Sequence, residues 1–215
     1  MRNQRYLPEF LRVLHEVDDF LLRSELDPFH RRLMQQSLAP LREDFFADKL
    51  VAALVFPALT REALGKKPAR CFTQLAAVHV LFYGFLDLTD DVEDRELSGL
   101  LWQELGESVA INTCTSLLFL SLNLLHELEA PASVRLDLYR QFSEAGYFLT
   151  VGQQRDLLSS RWPDQGVTSV LQTHLLKTGS SVALYLRSTA SLAGATRPRS
   201  PHRALPRSAR CWLSG

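Results

Sequence analysis

Several residue types that mark particular protein classes are scarce in this sequence. Its three cysteines, Cys71, Cys114 and Cys211, are odd in number and lack CxxC spacing. They exclude a disulfide framework or zinc ribbon and fit reduced thiols in a cytoplasmic protein, with Cys71 and Cys114 as small core residues. An excess of charge of one sign is also missing. Lysine plus arginine equal aspartate plus glutamate at 24 each, so no overall field draws the chain to nucleic acid or an anionic membrane, and no nucleic-acid partner is expected. The most apolar stretches, Leu50 to Leu59 and Leu117 to Leu125, meet polar neighbours early, and no membrane span is expected. The first ten residues carry Arg2, Arg5 and Glu9 where a secretory leader needs an apolar run. Glycine and proline, 10 of each, are sparse until the end of the chain, which removes the punctuation that a β-rich fold requires.

What remains is helix-period sequence with enough apolar content, 46%, to bury a core. The pattern predicts an all-α domain over residues 1–195. Helices are expected at about Leu7 to Ser24, His30 to Leu41, Asp44 to Gly65, Pro68 to Asp94, Glu107 to Leu128, Pro131 to Ser159 and Val167 to Gly194. Leucine-rich runs such as Leu117 to Leu125 carry apolar residues on more than one face and predict central helices. From Thr196 the composition turns to arginine and proline without an apolar period, so residues 196–215 are expected to form a disordered tail. A basic binding arm and a shifted reading frame are the other readings of that tail.

The chemistry concentrates at the end of the Pro68 to Asp94 run. One-turn steps connect Phe82, Leu86, Asp90 and Asp94, so a stripe of large apolar residues ends in carboxylates, while Asp87, Asp91 and Asp94 form an adjacent acidic line. Like charges at these spacings repel and call for a cation. Mg²⁺ suits them, because it prefers hard carboxylate oxygens and completes its octahedron with water and substrate phosphates. An apolar cavity below the acid would shelter a hydrocarbon chain. A helix end running into a solvated acidic loop fits the same spacing.

The segment Leu86-Asp87-Leu88-Thr89-Asp90-Asp91-Val92-Glu93-Asp94 resembles the first aspartate-rich motif of the trans-isoprenyl (polyprenyl) diphosphate synthases. Three further segments agree in order and spacing. Ala110-Ile111 leading into Leu117-Leu118 resembles the family's next core helix, Gly152-Gln153-Gln154-Arg155-Asp156-Leu157 its Gly-Gln-x-x-Asp-Leu motif, and Lys177-Thr178-Gly179 its Lys-Thr-(Ala/Gly) motif. The resemblance spans roughly Asp44 to Gly194. It implies an isoprenoid-synthase-type helical bundle and prenyl transfer from an allylic prenyl diphosphate in isoprenoid biosynthesis. By the same resemblance Asp90, Asp91 and Asp94 would bind Mg²⁺, and Asp90, Asp91 and Lys177 would be catalytic. Lys177 would contact the allylic diphosphate, Gln153 and Asp156 would line the substrate site, and Phe85 would limit product length. Read without the resemblance, Lys177 fits a surface lysine, and Gln153 with Asp156 an ordinary polar helix face.

The sequence also departs from the family pattern. No Gly-Gly-Lys-x-x-Arg motif precedes the acidic helix; Lys66-Lys67-Pro68-Ala69-Arg70 imitates it too close to Asp90, and the corresponding position falls near Lys49. Arg95 to Trp102 replaces the family's Arg-Arg-Gly segment, and Cys114-Thr115 stands where a Gly-Asp pair is usual. Trp102 to Asn112 resembles the divergent branch near the competence-pheromone prenyltransferases, which implies an unusual acceptor. No second aspartate-rich motif follows Lys177, so the resemblance implies a bundle lacking its C-terminal helices and impaired activity. The alternative it implies is a non-catalytic helical subunit or truncated relative bound to a partner synthase; family members are commonly homodimers. A terpene cyclase would carry a late Asn/Ser/Glu metal motif, which is not found.

Overall fold

A computed structural model describes residues 3–95, 105–161 and 166–195. The disordered tail expected over residues 196–215, Cys211 within it, Glu96 to Trp102 of the segment that replaces Arg-Arg-Gly, and Trp102 to Glu104 of the divergent-branch segment lie outside the described residues. The described residues are helical and contain no strand. The helices are α1 (Leu7–Arg23), α2 (Pro28–Ser37), α3 (Ala39–Phe46), α4 (Ala52–Ala63), α5 (Arg70–Asp94), α6 (Glu107–His126), α7 (Ala132–Leu157), α8 (Val167–His174) and α9 (Ser180–Leu192). A π-helical turn, Leu175–Gly179, joins α8 to α9.

Local chemistry sets the boundaries. Pro8 lies in the first turn of α1, which buries Phe10, Val13, Leu14, Val17, Phe20 and Leu21 along one stripe. Asp27 caps α2 by accepting from the Phe29 and His30 amides at 2.9 and 3.0 Å, and Pro28 supplies the first helical residue. The single helix expected over His30 to Leu41 is two, because Pro40 has no N–H to continue the ladder; the Leu38 amide turns back to the Gln36 carbonyl instead. The run expected over Asp44 to Gly65 also breaks, where Asp48 takes a left-handed φ of 63°, a conformation that aspartate tolerates better than most residues.

Helix α5 is the axis of the bundle. It packs most extensively on α6 and also meets α1, α4, α7 and α9, and it buries every residue from Gln74 to Phe82. By length and composition α5 and α6 are each long and apolar enough to cross a membrane, a test that buried core helices also pass; 61% and 44% of their most apolar windows are buried inside the protein. Cys114 is buried and Cys71 packs against the core.

The stripe below Asp90 is filled by side chains. The Phe82 ring meets Phe142 edge-on at 5.2 Å and Phe85 at 5.7 Å. Its tip points at Gly146, where an added Cβ would touch it at 3.9 Å. Phe82, 2% exposed, is therefore part of a packed aromatic core. One turn deeper, His79 stacks on Phe142, meets Tyr185 edge-on at 5.0 Å and shares a 2.8 Å hydrogen bond with Ser188. Burial drives the His79 pKa down to about 3, so the ring is neutral.

Candidate active site

Three segments far apart in sequence meet at the C-terminal end of α5. The helix stops one residue past the acidic motif, at Arg95, whose left-handed φ of 60° turns its amide back to the Asp91 and Val92 carbonyls. Asp90 therefore stands in the final turns, with Glu93 and Asp94 exposed beyond it. From the π-turn, Lys177 Nζ reaches Asp90 Oδ1 at 2.9 Å and Asp156 Oδ2 on α7 at 3.0 Å. A three-quarters-buried ammonium thus bridges two half-exposed carboxylates. Its burial pulls the Lys177 pKa down, but the two carboxylates outweigh this and hold it above the ordinary lysine value.

Gly152 explains how the π-turn comes so near α7. A Cβ on Gly152 would lie 2.5 Å from the Lys177 backbone nitrogen and 2.8 Å from the Leu176 carbonyl carbon. Only a residue without a side chain permits that approach. The π-turn adds a residue to the helical register just where Lys177 must point at α5, a common use of such bulges.

Around this bridge the groups divide into two sides. On one, the Gln153 amide faces Glu93, yet neither of its buried polar atoms completes a hydrogen bond. Partial burial raises the Glu93 pKa; Gln153 draws it down, and the like charges of Asp90 and Asp94 push it up. On the other side, burial raises Asp87, against the pull of the Tyr83 hydroxyl one turn earlier and with the repulsion of Asp90 and Asp44. Burial and the nearby Asp87 also push the Tyr83 phenol up. Tyr185 is fully buried on α9, where its hydroxyl has no hydrogen-bond partner. Lys49, near the position expected for the missing basic motif, is tied to Asp44 at 2.6 Å.

The structure thus brings Asp90, Lys177 and Asp156 into contact and sets Gln153 beside them, while Phe85 lies half-buried against Phe82. Among the described residues no three acidic, histidine or cysteine side chains converge as a ready-made metal cage. Sequence reading missed the Lys177 bridge, the Tyr83–Asp87–Tyr185 side and the Gly152 contact. Gly152 carried a visible signal for the close contact, as one of two glycines inside a long helical run.

No match is found among curated proteins. Among solved structures, the chain is similar to the geranylgeranyl pyrophosphate synthetase from the archaeon Geoglobus acetivorans, with a TM-score of 0.71 and 18% identity. The match covers 87% of this chain but 58% of the archaeal one, and at that identity it is a likeness of fold. The sequence model of the polyprenyl synthetase family matches residues 50–207. That span includes the acidic motif, the Gly152 to Leu157 segment and Lys177, and the chain belongs to the polyprenyl synthetase family.

Proposed function

We propose that the acidic end of α5 binds the diphosphate of an allylic prenyl substrate and serves Mg²⁺-assisted prenyl transfer. The observation that carries this reading is the Lys177 bridge between Asp90 and Asp156, which joins three family motifs in one place. The donor set suits Mg²⁺ although no carboxylate cage is preformed, because that ion commonly takes only one or two protein carboxylates and fills its sphere with water and phosphate oxygens. Asp90, Asp91 and Asp94 would hold it, and when bound it would neutralise charge on a departing diphosphate.

The chain's own residues supply the rest. Lys177, held above its ordinary pKa, stays an ammonium and offers donors to diphosphate oxygens. Asp156 orients that ammonium through its second ionic contact, at 3.0 Å. Gln153 has an unbonded amide donor and acceptor to give to a ligand. Half-buried Phe85 presents an apolar surface against which the prenyl chain would lie, and Phe85→Ala should lengthen the products if elongation occurs. An unchanged product length would remove Phe85 from that role.

A second reading, a helical subunit that serves a partner synthase, is favoured by one feature. Val167, Leu171 and Leu175, one turn apart, are 76%, 57% and 55% exposed beside Lys177, an apolar stripe that suits contact with another helix. Magnesium-dependent release of diphosphate from geranyl or farnesyl diphosphate, abolished by Lys177→Ala, supports the enzyme. Stable binding to a full-length synthase with no turnover by this chain alone supports the subunit.

A further inference from the structure

The approach that Gly152 permits fixes Lys177 where it neutralises a residue that the proposed metal needs. The π-turn backbone rests directly on α7, with the Lys177 nitrogen and the Leu176 carbonyl carbon inside the volume that a Cβ at position 152 would occupy. From that seat the ammonium contacts Asp90 and Asp156 together. Resting on the diphosphate-site reading above, we propose that Lys177, positioned by Gly152, is a latch on Asp90 that makes metal and diphosphate binding depend on each other.

In the ligand-free protein the ammonium occupies Asp90 and opposes a second cation there, so Mg²⁺ alone binds weakly. An arriving diphosphate offers Lys177 stronger, more highly charged acceptors. As Lys177 turns to it, Asp90 is freed for the metal, while Asp156 keeps the ammonium in the site. Each ligand thereby removes part of the cost of binding the other, and the coupling is reciprocal by linkage. Gly152 acts only through Lys177. A methyl group at position 152 must move the π-turn by about 1 Å to reach ordinary carbon contact. A displacement of that size in a binding site costs as much as roughly a hundredfold in function.

The test uses Mn²⁺ as a paramagnetic stand-in for Mg²⁺, counted by electron paramagnetic resonance on the full chain with and without inorganic pyrophosphate. Lys177→Gln is expected to bind Mn²⁺ alone roughly tenfold more tightly than the wild type, and to lose most of the enhancement that pyrophosphate gives the wild type. Gly152→Ala should shift both readouts in the same direction. Gly179→Ala provides the matched control, because a Cβ there meets only the Leu175 side chain, at 3.6 and 3.9 Å; it should behave as wild type. A wild type whose Mn²⁺ binding is enhanced by pyrophosphate, alongside a Lys177→Gln protein that binds Mn²⁺ alone no better, overturns the latch and leaves the diphosphate site standing. A folded Gly152→Ala protein indistinguishable from Gly179→Ala overturns the positioning role. No Mn²⁺ binding in any protein, with or without pyrophosphate, removes the site reading and the latch together.

Discussion

From Gln74 to Phe82 every residue of α5 is buried, on all sides of the helix, whereas from Asp87 to Asp94 Leu88 alone is. The first region is closed by aromatic packing: His79, Phe82, Phe142 and Tyr185 fill one another's space. The second is held by an ionic contact reaching in from the π-turn, whose lysine is itself paired with Asp156 on α7. A single helix can therefore be core at one end and ligand wall at the other, and substitutions at the two ends should fail in different ways. Changes at the buried end should cost stability; changes at the acidic end should cost binding.

The largest effect on stability is expected from Phe82→Ala, about 3–5 kcal/mol in urea denaturation, as for other large-to-small core changes. A loss below about 1 kcal/mol would instead make the ring the lining of an open prenyl cavity and erase the contrast between the two ends. Acid should act at the buried end next. With its native pKa near 3 and an unfolded value near 6.5, His79 takes up a proton more readily in the unfolded chain. Its stabilising contribution is complete above about pH 6.5 and falls by about 1.4 kcal/mol per pH unit as pH drops toward 3. The raised carboxyls of Asp87 and Glu93 act in the opposite sense, since the native state protonates them first. The His79 slope is thus read as the difference between wild type and His79→Gln; parallel curves would contradict it.

A smaller loss, about 1–3 kcal/mol, is expected for Gly84→Ala, which overpacks α5. The new Cβ would fall 2.6 Å from Leu38 Cδ2, and denaturation matching wild type would mean that Leu38 simply moves aside. The smallest effect belongs to the acidic end. Asp156→Asn leaves Lys177 its Asp90 contact and removes a half-exposed pair, so stability should change by less than about 1 kcal/mol while pyrophosphate affinity falls. A larger stability loss with unchanged affinity would place Asp156 in the core's account and not in the site's.

Most helices were legible because their signals are local: the apolar period, and prolines such as Pro68 and Pro131 at the helix starts. The breaks were harder. Pro40 was visible, yet the apolar period on both sides carried the reading through it, and the turn at Asp48 depends on a backbone conformation that no residue type announces. The acidic motif was readable as a pattern, but its partner was not. Asp90 and Lys177 are joined by the folding of α7 back along α5 and by a π-turn, neither of which has a periodicity of its own. The packing of Phe82 was equally hidden, because the residue reads the same whether it lines a tunnel or meets Phe142.

The most direct test of the central claim is calorimetric titration of farnesyl diphosphate, with and without Mg²⁺, into this chain and its Asp90→Ala/Asp94→Ala variant. The account predicts Mg²⁺-dependent binding that the double variant loses while keeping its fold. Binding that is absent from the wild type, or unchanged in the variant, would contradict the assignment of the acidic end of α5 as a diphosphate site.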